Sequence, residues 1–367
     1  MRIAFVCGSL EPGKDGVGDY VRRLAGELLE MGHEVVAVAL NDGHVQEEQT
    51  GPQDTAGGEF AVLRLPRGME EKERCIAAGE WLDRVRPEWL SLQFVPFAFE
   101  NRGLIFGFSK YLELLSASCK RHIMFHELWV GMKEGSPLKM ILWGWLQRQL
   151  ILSLIRGWQP EAIHTQTRLY QAQLARLGIS AELLPLFGNI PVTSQRHTDV
   201  GGIAFLHFGT IYPGAPIADF ATEAARYAQA HCVEVTLHLV GRSGPEQALW
   251  TDKWRGAGLK LIVSGEQTPE EVSKAMMEAS VGIATTAFAL VEKSGSVAAM
   301  REHGLPVICV SSEWSPRGMS LPEVALDVFP YRVGNFDRLM SRLEKPSAST
   351  GLADVARLFV ENLASVV

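Results

Sequence analysis

A polar segment, Lys293-Ser294-Gly295-Ser296, interrupts the apolar pattern of the sequence and is followed by small residues at helical spacing. A glycine at the start of a helix lets an anion approach the backbone N–H groups, and the flanking hydroxyl groups can donate further hydrogen bonds. Lys293 adds a positive charge beside them. The segment therefore predicts a phosphate site at a helix start, with a simple N-cap formed by Ser294 as the alternative.

Other polar residues lie where strand-like apolar runs end. His126 ends the predicted strand 122–126, Glu127 follows it, and Gln93 lies near the end of the predicted strand 89–94. Ligands of α/β proteins bind at the carboxyl edge of the sheet, so these side chains are candidates for substrate contacts. For His126 the alternative is an ordinary histidine with its hydrogen bonds satisfied at a strand end.

Loops with glycine supply the remaining candidates. Gly16 and Gly18 are predicted in a long loop before the first helix, where bare backbone and the helix dipole favour an anion; a flexible surface turn is the alternative. In the second half, Gly209 and Thr210 follow one strand and Arg242 follows the next. Arg242 is expected either to approach a phosphate or to be an exposed loop residue.

These candidates need a framework that brings strand ends together, and the sequence predicts an α/β fold. Apolar strand-like runs alternate with helical periodicity from end to end, which is typical of parallel sheets with helices on both faces. The alternation restarts at Ile203 after a turn-rich linker over 187–201. We therefore expect two Rossmann-like domains facing a central cleft, residues 1–187 and 188–351, with a helix over 352–367 that can join the first.

The expected elements follow from periodicity and from helix-capping signals. The predicted strands are 2–7, 35–40, 60–65, 89–94, 122–126, 162–165, 182–185, 203–208, 235–240, 260–263, 281–284 and 306–310. Apolar residues recur at helical spacing from Val17 to Leu28 and predict a first helix that Gly32 ends. A helix is also predicted over 138–158, and Thr268 with Glu271 predicts a capping box at the start of another.

Length, charge and cysteine content narrow the functional classes. The 367 residues exceed the usual size of a single hydrophobic core. A net charge of -7 argues against nucleic-acid binding, and the five scattered cysteines indicate neither disulfides nor a zinc site.

The N-terminal sequence and the lack of a long apolar run predict a cytoplasmic protein. The apolar segment 138–158 is expected to be a packed core helix, with peripheral membrane contact as the less favoured alternative.

Three segments together resemble the GT-B glycosyltransferases, and in particular glycosyltransferase family 4, over nearly the full length. They are Gly16-Val17-Gly18-Asp19-Tyr20, Met124-Phe125-His126-Glu127, and the block from Glu292 to Ile308 that closes with Gly304-Leu305-Pro306-Val307-Ile308. The resemblance implies a retaining transfer of a sugar from a nucleotide diphosphate sugar, bound mainly by the second domain. The acceptor, a small molecule, a glycan or a lipid-linked molecule, is held mainly by the first. Members generally need no metal, and no other cofactor is expected; the sequence contains no Asp-x-Asp pair.

The resemblance also suggests roles for individual residues. We assign His126 and Glu292 as catalytic residues at the transferred sugar, and Gln93 and Glu127 to the acceptor. The assigned donor contacts are Gly16, Gly18, Gly209, Thr210, Arg242, Lys293, Ser294, Gly295 and Ser296.

The sequence departs from the family pattern in two places. The paired glutamates of the family would fall, without a gap, on Val291 and Ala299; a shift by one residue to Glu292 restores the sugar-contacting carboxylate, while the nucleoside-facing one is missing. A basic pair after the first strand of the second domain is absent, and Lys293 is the expected replacement. Two alternatives therefore stay open: a catalytically weak or inactive sugar-nucleotide-binding protein, and a nonhydrolysing sugar-nucleotide epimerase.

Overall fold

The computed structural model describes residues 1–115, 118–193, 202–324, 327–343 and 351–366. The chain divides into two compact units: unit 1 comprises Met1–Pro185, Pro316–Met319 and Leu352–Val367, and unit 2 comprises Leu186–Ser315 and Ser320–Gly351. Both units are α/β, as the sequence predicts. Residues 194–201 of the predicted linker lie outside the described residues.

Unit 1 is built on one large sheet. Its strands are β1 (Arg2–Cys7), β2 (Glu34–Asp42), β3 (Gln49–Thr55), β4 (Gly58–Pro66), β5 (Trp89–Phe94), β6 (Lys120–Phe125), β7 (Ala162–Thr165) and β8 (Glu182–Leu183). They lie in the order β3-β4-β2-β1-β5-β6-β7-β8 and are parallel, except that β3 pairs antiparallel with β4. β1 and β5 are almost wholly buried because helices cover both faces, which is why they read as continuous apolar runs.

The helices that connect these strands are α1 (Gly16–Glu30), α2 (Glu71–Val85), α3 (Pro96–Phe99), α4 (Phe108–Leu112), α5 (Leu138–Trp158) and α6 (Arg168–Ala175). The bounds of α5 match the prediction, but its burial does not. The C-terminal half packs through Ile151, Leu154 and Trp158, whereas apolar side chains of the N-terminal half such as Leu142 and Trp145 are exposed. Among the described residues, no helix is both long and apolar enough to cross a membrane.

Unit 2 contains a second, fully parallel sheet. Its strands are β9 (Ile203–Phe208), β10 (Val235–Val240), β11 (Lys260–Gly265), β12 (Val281–Ala284), β13 (Val307–Cys309) and β14 (Val328–Pro330). They lie in the order β11-β10-β9-β12-β13-β14. Phe205, Phe220, Trp250 and Trp254 pack on one face of this sheet, and a second cluster that includes Met276 packs elsewhere in the unit.

The helices of unit 2 are α7 (Ile217–His231), α8 (Gln247–Gly256), α9 (Pro269–Glu278), α10 (Gly295–Glu302) and α11 (Phe336–Met340), and a 3-10 helix, Phe288–Lys293, precedes α10. The capping box predicted at Thr268 is confirmed at the start of α9. The last helix, α12 (Leu352–Ser365), returns to unit 1 and places Phe359 against Phe5, with 6.0 Å between ring centroids.

Two strands are missing from the sequence-based prediction. β3 is an edge strand whose residues are polar, half exposed, and interrupted by Gly51 and Pro52, so no apolar alternation reveals it. β14 has only three residues and also lies at an edge. β3 is specified by pairing with β4 rather than by burial of its own side chains, whereas β14 buries Val328 but is too short to show an apolar pattern.

Candidate functional site

The carboxyl edge of the unit 2 sheet has the topology at which open α/β sheets bind ligands. The strand order reverses at β9, because β10 and β11 continue on one side and β12 to β14 on the other. Loops that leave neighbouring strands at such a point diverge and leave a crevice. The loop after β9 begins with Gly209, and the loop after β12 begins with Thr285 and leads to α10. The predicted Gly209-Thr210 lies in the first of these loops, and the predicted Ser294-Gly295-Ser296 lies where the second loop enters α10.

Thr285 ties the two loops together. Its hydroxyl donates to the carbonyl of Thr210 (3.3 Å) and accepts from the backbone N–H of Tyr212 (3.0 Å). Gly209 has a φ of +89°, in the left-handed region that favours glycine. The backbone conformation therefore explains why position 209 is a glycine. Thr210 and Tyr212 present exposed side chains beside it.

Hydroxyl groups gather at the start of α10. Ser294 is the N-cap and accepts from the N–H of Val297 (3.5 Å), so this serine does cap the helix. The hydroxyl of Thr286 donates to Oγ of Ser294 (3.3 Å), which lies 3.1 Å from Oγ of Ser296. The positive end of a helix dipole and several hydroxyl groups thus occupy one place.

At the start of α10, the packing of the protein itself does not explain why position 295 is a glycine. Apart from its chain neighbours and the backbone of α10 itself, no atom lies within 4 Å of a Cβ built on Gly295, and its φ is not positive. In contrast, a Cβ on Gly282 in β12 would lie 2.6 Å from Sδ of Met300. Packing requires glycine at position 282 but not at position 295. The backbone at Gly295 therefore borders open space into which a ligand can fit.

The charged candidates of unit 2 lie at the same edge of the sheet. Glu292 and Lys293 end the 3-10 helix that leads into α10, and both are half-buried. Arg242 follows β10, where it is exposed and forms an ion pair with Glu266. An exposed ion pair of this kind contributes little free energy, so a phosphate could replace the carboxylate at little cost.

Unit 1 holds its candidates at the carboxyl edge of its own sheet. β6 ends at Phe125, so His126 is the first residue after the strand rather than its last. The backbone N–H of His126 donates to the carbonyl of Phe94 (3.0 Å), and its ring packs edge-on against Tyr20. Nε2 of His126 lies 2.9 Å from Oε1 of Gln93. Because an amide oxygen only accepts, Nε2 carries the ring proton.

Gln93 also ends a chain of buried hydrogen bonds that crosses the interior of unit 1. Its Nε2 donates to Oγ of Ser91 (2.7 Å), and that oxygen lies 2.7 Å from Nδ1 of His122. Nε2 of His122 lies 2.9 Å from Nδ1 of His164, whose Nε2 lies 2.9 Å from Nδ2 of Asn362 in α12. Donation from the Asn362 amide places the protons of both imidazoles on Nδ1, so every bond forms with neutral rings.

The pKa values of the two histidines agree with this neutral state. Burial lowers the pKa of His164 to about 4. Burial, together with the neighbouring His164, lowers the pKa of His122 well below its ordinary value. A proton added to either ring would place a charge in the core and break the sequence of donors and acceptors.

We expect His164 to make the protein less stable in acid. As the pH falls from about 6.5 to about 4, the unfolded chain binds a proton at His164 before the folded chain does, which costs about 2 kcal/mol at about pH 5. Urea unfolding at about pH 7 and about pH 5 measures this loss. His164→Gln should show a smaller loss than the wild type, and His231→Gln, at an exposed position, should match the wild type. Equal losses in all three proteins would contradict the assignment.

The start of α1 corrects the predicted position of Gly16 and Gly18. Both lie in the first turn of α1 and not in a loop, because Asp15 caps the helix and accepts from the N–H of Gly18 (2.7 Å). A Cβ on Gly18 would lie 2.6 Å from the carbonyl oxygen of Ser9, whereas one on Gly16 meets nothing within 4 Å. Close packing therefore explains Gly18, and the Asp15 carboxylate uses one N–H that an anion would otherwise bind.

Comparison with known proteins shows which solved structures share this architecture. No protein-family model and no curated protein matches the sequence. Among solved structures, HepE of Anabaena in complex with UDP and glucose is 14% identical, covers 100% of both chains and has a TM-score of 0.58. The UDP-forming alpha,alpha-trehalose-phosphate synthase of Burkholderia xenovorans is 11% identical over 99% of both chains, with a TM-score of 0.54. The UDP-GlcNAc 2-epimerase of Neisseria meningitidis is 12% identical over 100% of both chains, with a TM-score of 0.52. The chain has the GT-B glycosyltransferase fold.

The GT-B fold confirms the predicted fold class, and the structure shows which predicted residues come together. In unit 1, His126 contacts Gln93, which is buried and faces His126, while Glu127 is half-buried at the adjacent position. In unit 2, Ser294 contacts Ser296. Arg242 instead contacts Glu266.

Several residues that lie beside these candidates were not predicted from the sequence. Thr285 and Thr286 follow β12, and their signal is a polar pair directly after a buried strand. Ser91, His122 and His164 carry a different signal, since each is a polar residue next to buried apolar residues within a strand. Polar groups in such positions must find buried partners, which predicts a network without identifying its members.

Proposed function

We propose that the chain is a retaining glycosyltransferase, similar to glycosyltransferase family 4, that uses a nucleotide diphosphate sugar. In this proposal unit 2 binds the donor and unit 1 binds the acceptor, in the cytoplasm. The observation that carries the proposal is Gly295, where open backbone lies beside Ser294 and Ser296 at the switch point of the sheet. The complex of HepE with UDP and glucose supports a nucleotide as the ligand of this fold.

The proposed role of the α10 start follows from the chemistry of the leaving group. When the bond between the sugar and the diphosphate breaks, its electron pair stays on a phosphate oxygen, where negative charge grows. Donors that are already fixed around that oxygen stabilise the transition state more than the ground state. We assign this role to the N–H groups of the first turn of α10, the serine hydroxyls and Lys293. The proposal needs no divalent cation, so activity should persist in EDTA.

Nucleotide binding gives the first test. We expect UDP or another nucleoside diphosphate to bind with micromolar affinity, as in ordinary enzyme sites, and Lys293→Ala to weaken it about tenfold, because one charge-assisted bond to phosphate is lost. Isothermal titration calorimetry with a panel of nucleoside diphosphates measures this, and Lys274→Ala, at an exposed position in α9 of the same unit, is the control. Absence of binding by every nucleotide would refute the proposed donor site.

Gln93 gives a test in unit 1. Gln93→Leu removes the acceptor that holds Nε2 of His126 and should lower turnover about tenfold, because the imidazole loses its fixed orientation. The affinity for UDP should remain unchanged, since unit 2 provides that site in our proposal. Steady-state kinetics together with calorimetry separates the two effects. Normal turnover in a folded Gln93→Leu protein would show that His126 does not depend on this bond.

A sugar-nucleotide epimerase is the second candidate. The likeness to the UDP-GlcNAc 2-epimerase covers the whole of both chains and has a TM-score near those of the glycosyltransferase fold. Product analysis distinguishes the two reactions, because transfer releases a nucleoside diphosphate whereas epimerisation returns an intact nucleotide sugar of altered configuration. Binding without either product would favour the alternative of an inactive sugar-nucleotide-binding protein.

A further inference from the structure

A cavity in unit 1 has the composition of a site for a phosphorylated ligand. It has a volume of about 340 Å³, and the residues on its walls include Trp129, Trp145, Arg148, Gln173, Arg176 and Arg317. This volume lies at the lower end of the range of small-molecule sites, about 300 to 1,000 Å³. Among the described residues that line it, none is acidic. The cavity is therefore a local concentration of positive charge in a protein whose net charge is -7.

The walls of the cavity are held by backbone contacts. The loop after β6 lies directly on α5, because a Cβ on Gly144 would be 1.9 Å from the carbonyl oxygen of Val130. Oε1 of the buried Gln147 accepts from the N–H of Val130 (3.0 Å) and fixes the same loop. The N–H of Arg317 donates to the carbonyl of Met132 (2.7 Å), which fixes the segment Pro316–Met319 to this loop. The side chains that line the cavity are therefore attached to segments that contact one another, and this preorganisation lowers the entropic cost of binding.

Among the residues that the structure describes, no carboxylate forms an ion pair with any of the three guanidinium groups, those of Arg148, Arg176 and Arg317. Within the same ranges, the buried Nε of Arg148 has no hydrogen-bond partner. Arginine binds phosphate with two parallel hydrogen bonds, so three such side chains around one cavity suit a phosphate or diphosphate group. A buried donor without a partner costs free energy that a bound anion would recover.

The aromatic walls suit the remainder of the ligand. Trp129 is half-buried, and Trp145 is 53% exposed at the edge of the cavity. An indole ring offers a large flat surface with a negative face, against which the C–H groups of a sugar ring can pack. The same loop begins three residues earlier with His126, the proposed catalytic residue.

We infer that this cavity binds a saccharide that carries a phosphate or diphosphate group, and that this saccharide is the acceptor. The assignment as acceptor rests on the proposed function. The arginines hold the phosphate and the tryptophans hold the sugar ring. Two sources share this chemistry: a soluble sugar phosphate, and a saccharide joined to a lipid through a diphosphate.

Binding measurements on the full chain test the inference. Calorimetric titration with glucose 6-phosphate should show binding to the wild type, and Arg176→Gln with Arg317→Gln should weaken it at least about tenfold. Both arginines are exposed, so the fold should tolerate their replacement, and Arg148→Gln should act in the same direction. Arg156→Gln, exposed farther along α5 and outside the cavity, is the matched control and should bind as the wild type does.

A second arm identifies the source of the phosphate. Vesicles of phosphatidylcholine with and without a polyprenyl diphosphate are sedimented with the wild type and the same variants. Binding only to the vesicles that contain the diphosphate, lost in Arg176→Gln with Arg317→Gln, identifies a lipid-linked ligand, and binding of glucose 6-phosphate alone identifies a soluble one. Absence of binding in both arms, or binding that survives the arginine substitutions, would overturn the inference.

The same samples separate this inference from the proposed function. Glucose 6-phosphate binding is repeated with Lys293→Ala, which affects only the donor site and should leave the affinity unchanged. If UDP binds and both phosphorylated probes fail, the acceptor site is wrong and the donor site stands. If glucose 6-phosphate binds through the arginines but no nucleotide binds, the cavity stands and the proposed transferase does not.

Discussion

Replacement of His126 with alanine should lower the rate of sugar transfer by about a hundredfold or more, the usual cost of removing one fixed hydrogen-bonding group from a reacting centre. The affinity for UDP should stay within about twofold of the wild type, because in our proposal the nucleotide is bound by unit 2. Steady-state kinetics gives the rate, and calorimetry gives the affinity. This contrast assigns His126 to the chemical step rather than to donor binding.

The control for His126→Ala must be a histidine of the same unit at the opposite edge of the sheet. His33 meets this condition, since it immediately precedes β2 and lies 3.0 Å from the N-terminal amino group. His33→Ala should retain wild-type turnover. A transfer rate for His126→Ala equal to that of His33→Ala would remove His126 from the reaction, provided that near-ultraviolet circular dichroism shows both variants to be folded.

The sequence predicts the central strands of both sheets well, for a physical reason. β1, β5 and β12 are buried on both faces, so most positions favour an apolar residue and the run stands out. Edge strands such as β3 are not subject to this constraint. Their position depends on hydrogen bonds to a neighbour, which leave little trace in residue types.

Only part of the candidate site can be predicted from the sequence. The type and position of His126 at a strand end can be read from the sequence, but its bond to Gln93 depends on the pairing of β5 with β6, in which Phe94 lies opposite Phe125. That register exists only in the folded sheet, so the contact could not be predicted from the residues alone. The helix start at Gly295 is easier to predict, because its parts are neighbours in the sequence.

The cavity lined by three arginines is the feature of the structure that the sequence predicts least. Arg148, Arg176 and Arg317 are distant in the sequence, and each alone is typical of a solvated surface. They converge because α5, the end of α6 and the segment Pro316–Met319 meet around one loop. No pattern of residue types signals such a convergence, since it is produced by the return of the chain to unit 1 after most of unit 2.

Replacement of Gly295 with valine should weaken UDP binding about tenfold or more and leave the free energy of unfolding nearly unchanged. The stability should survive because a Cβ atom at this position lies within 4 Å of no atom outside its own helix start, and the backbone is in a conformation that any residue adopts. The affinity should fall because the added carbon atoms fill the space through which a phosphate reaches the N–H groups of α10. Calorimetry with UDP and urea unfolding measure the two quantities.

The matched control is Gly256→Val, because Gly256 lies in the same unit at the end of α8, also with open space around a built Cβ and without a positive φ. Both variants add the same side chain to a helix terminus, so any change in helix propensity is similar in the two. Only Gly295→Val should lose affinity for UDP. If it binds UDP as tightly as Gly256→Val does, the diphosphate does not rest on the start of α10, and Lys293 and the serine cluster would lose their proposed ligand with it.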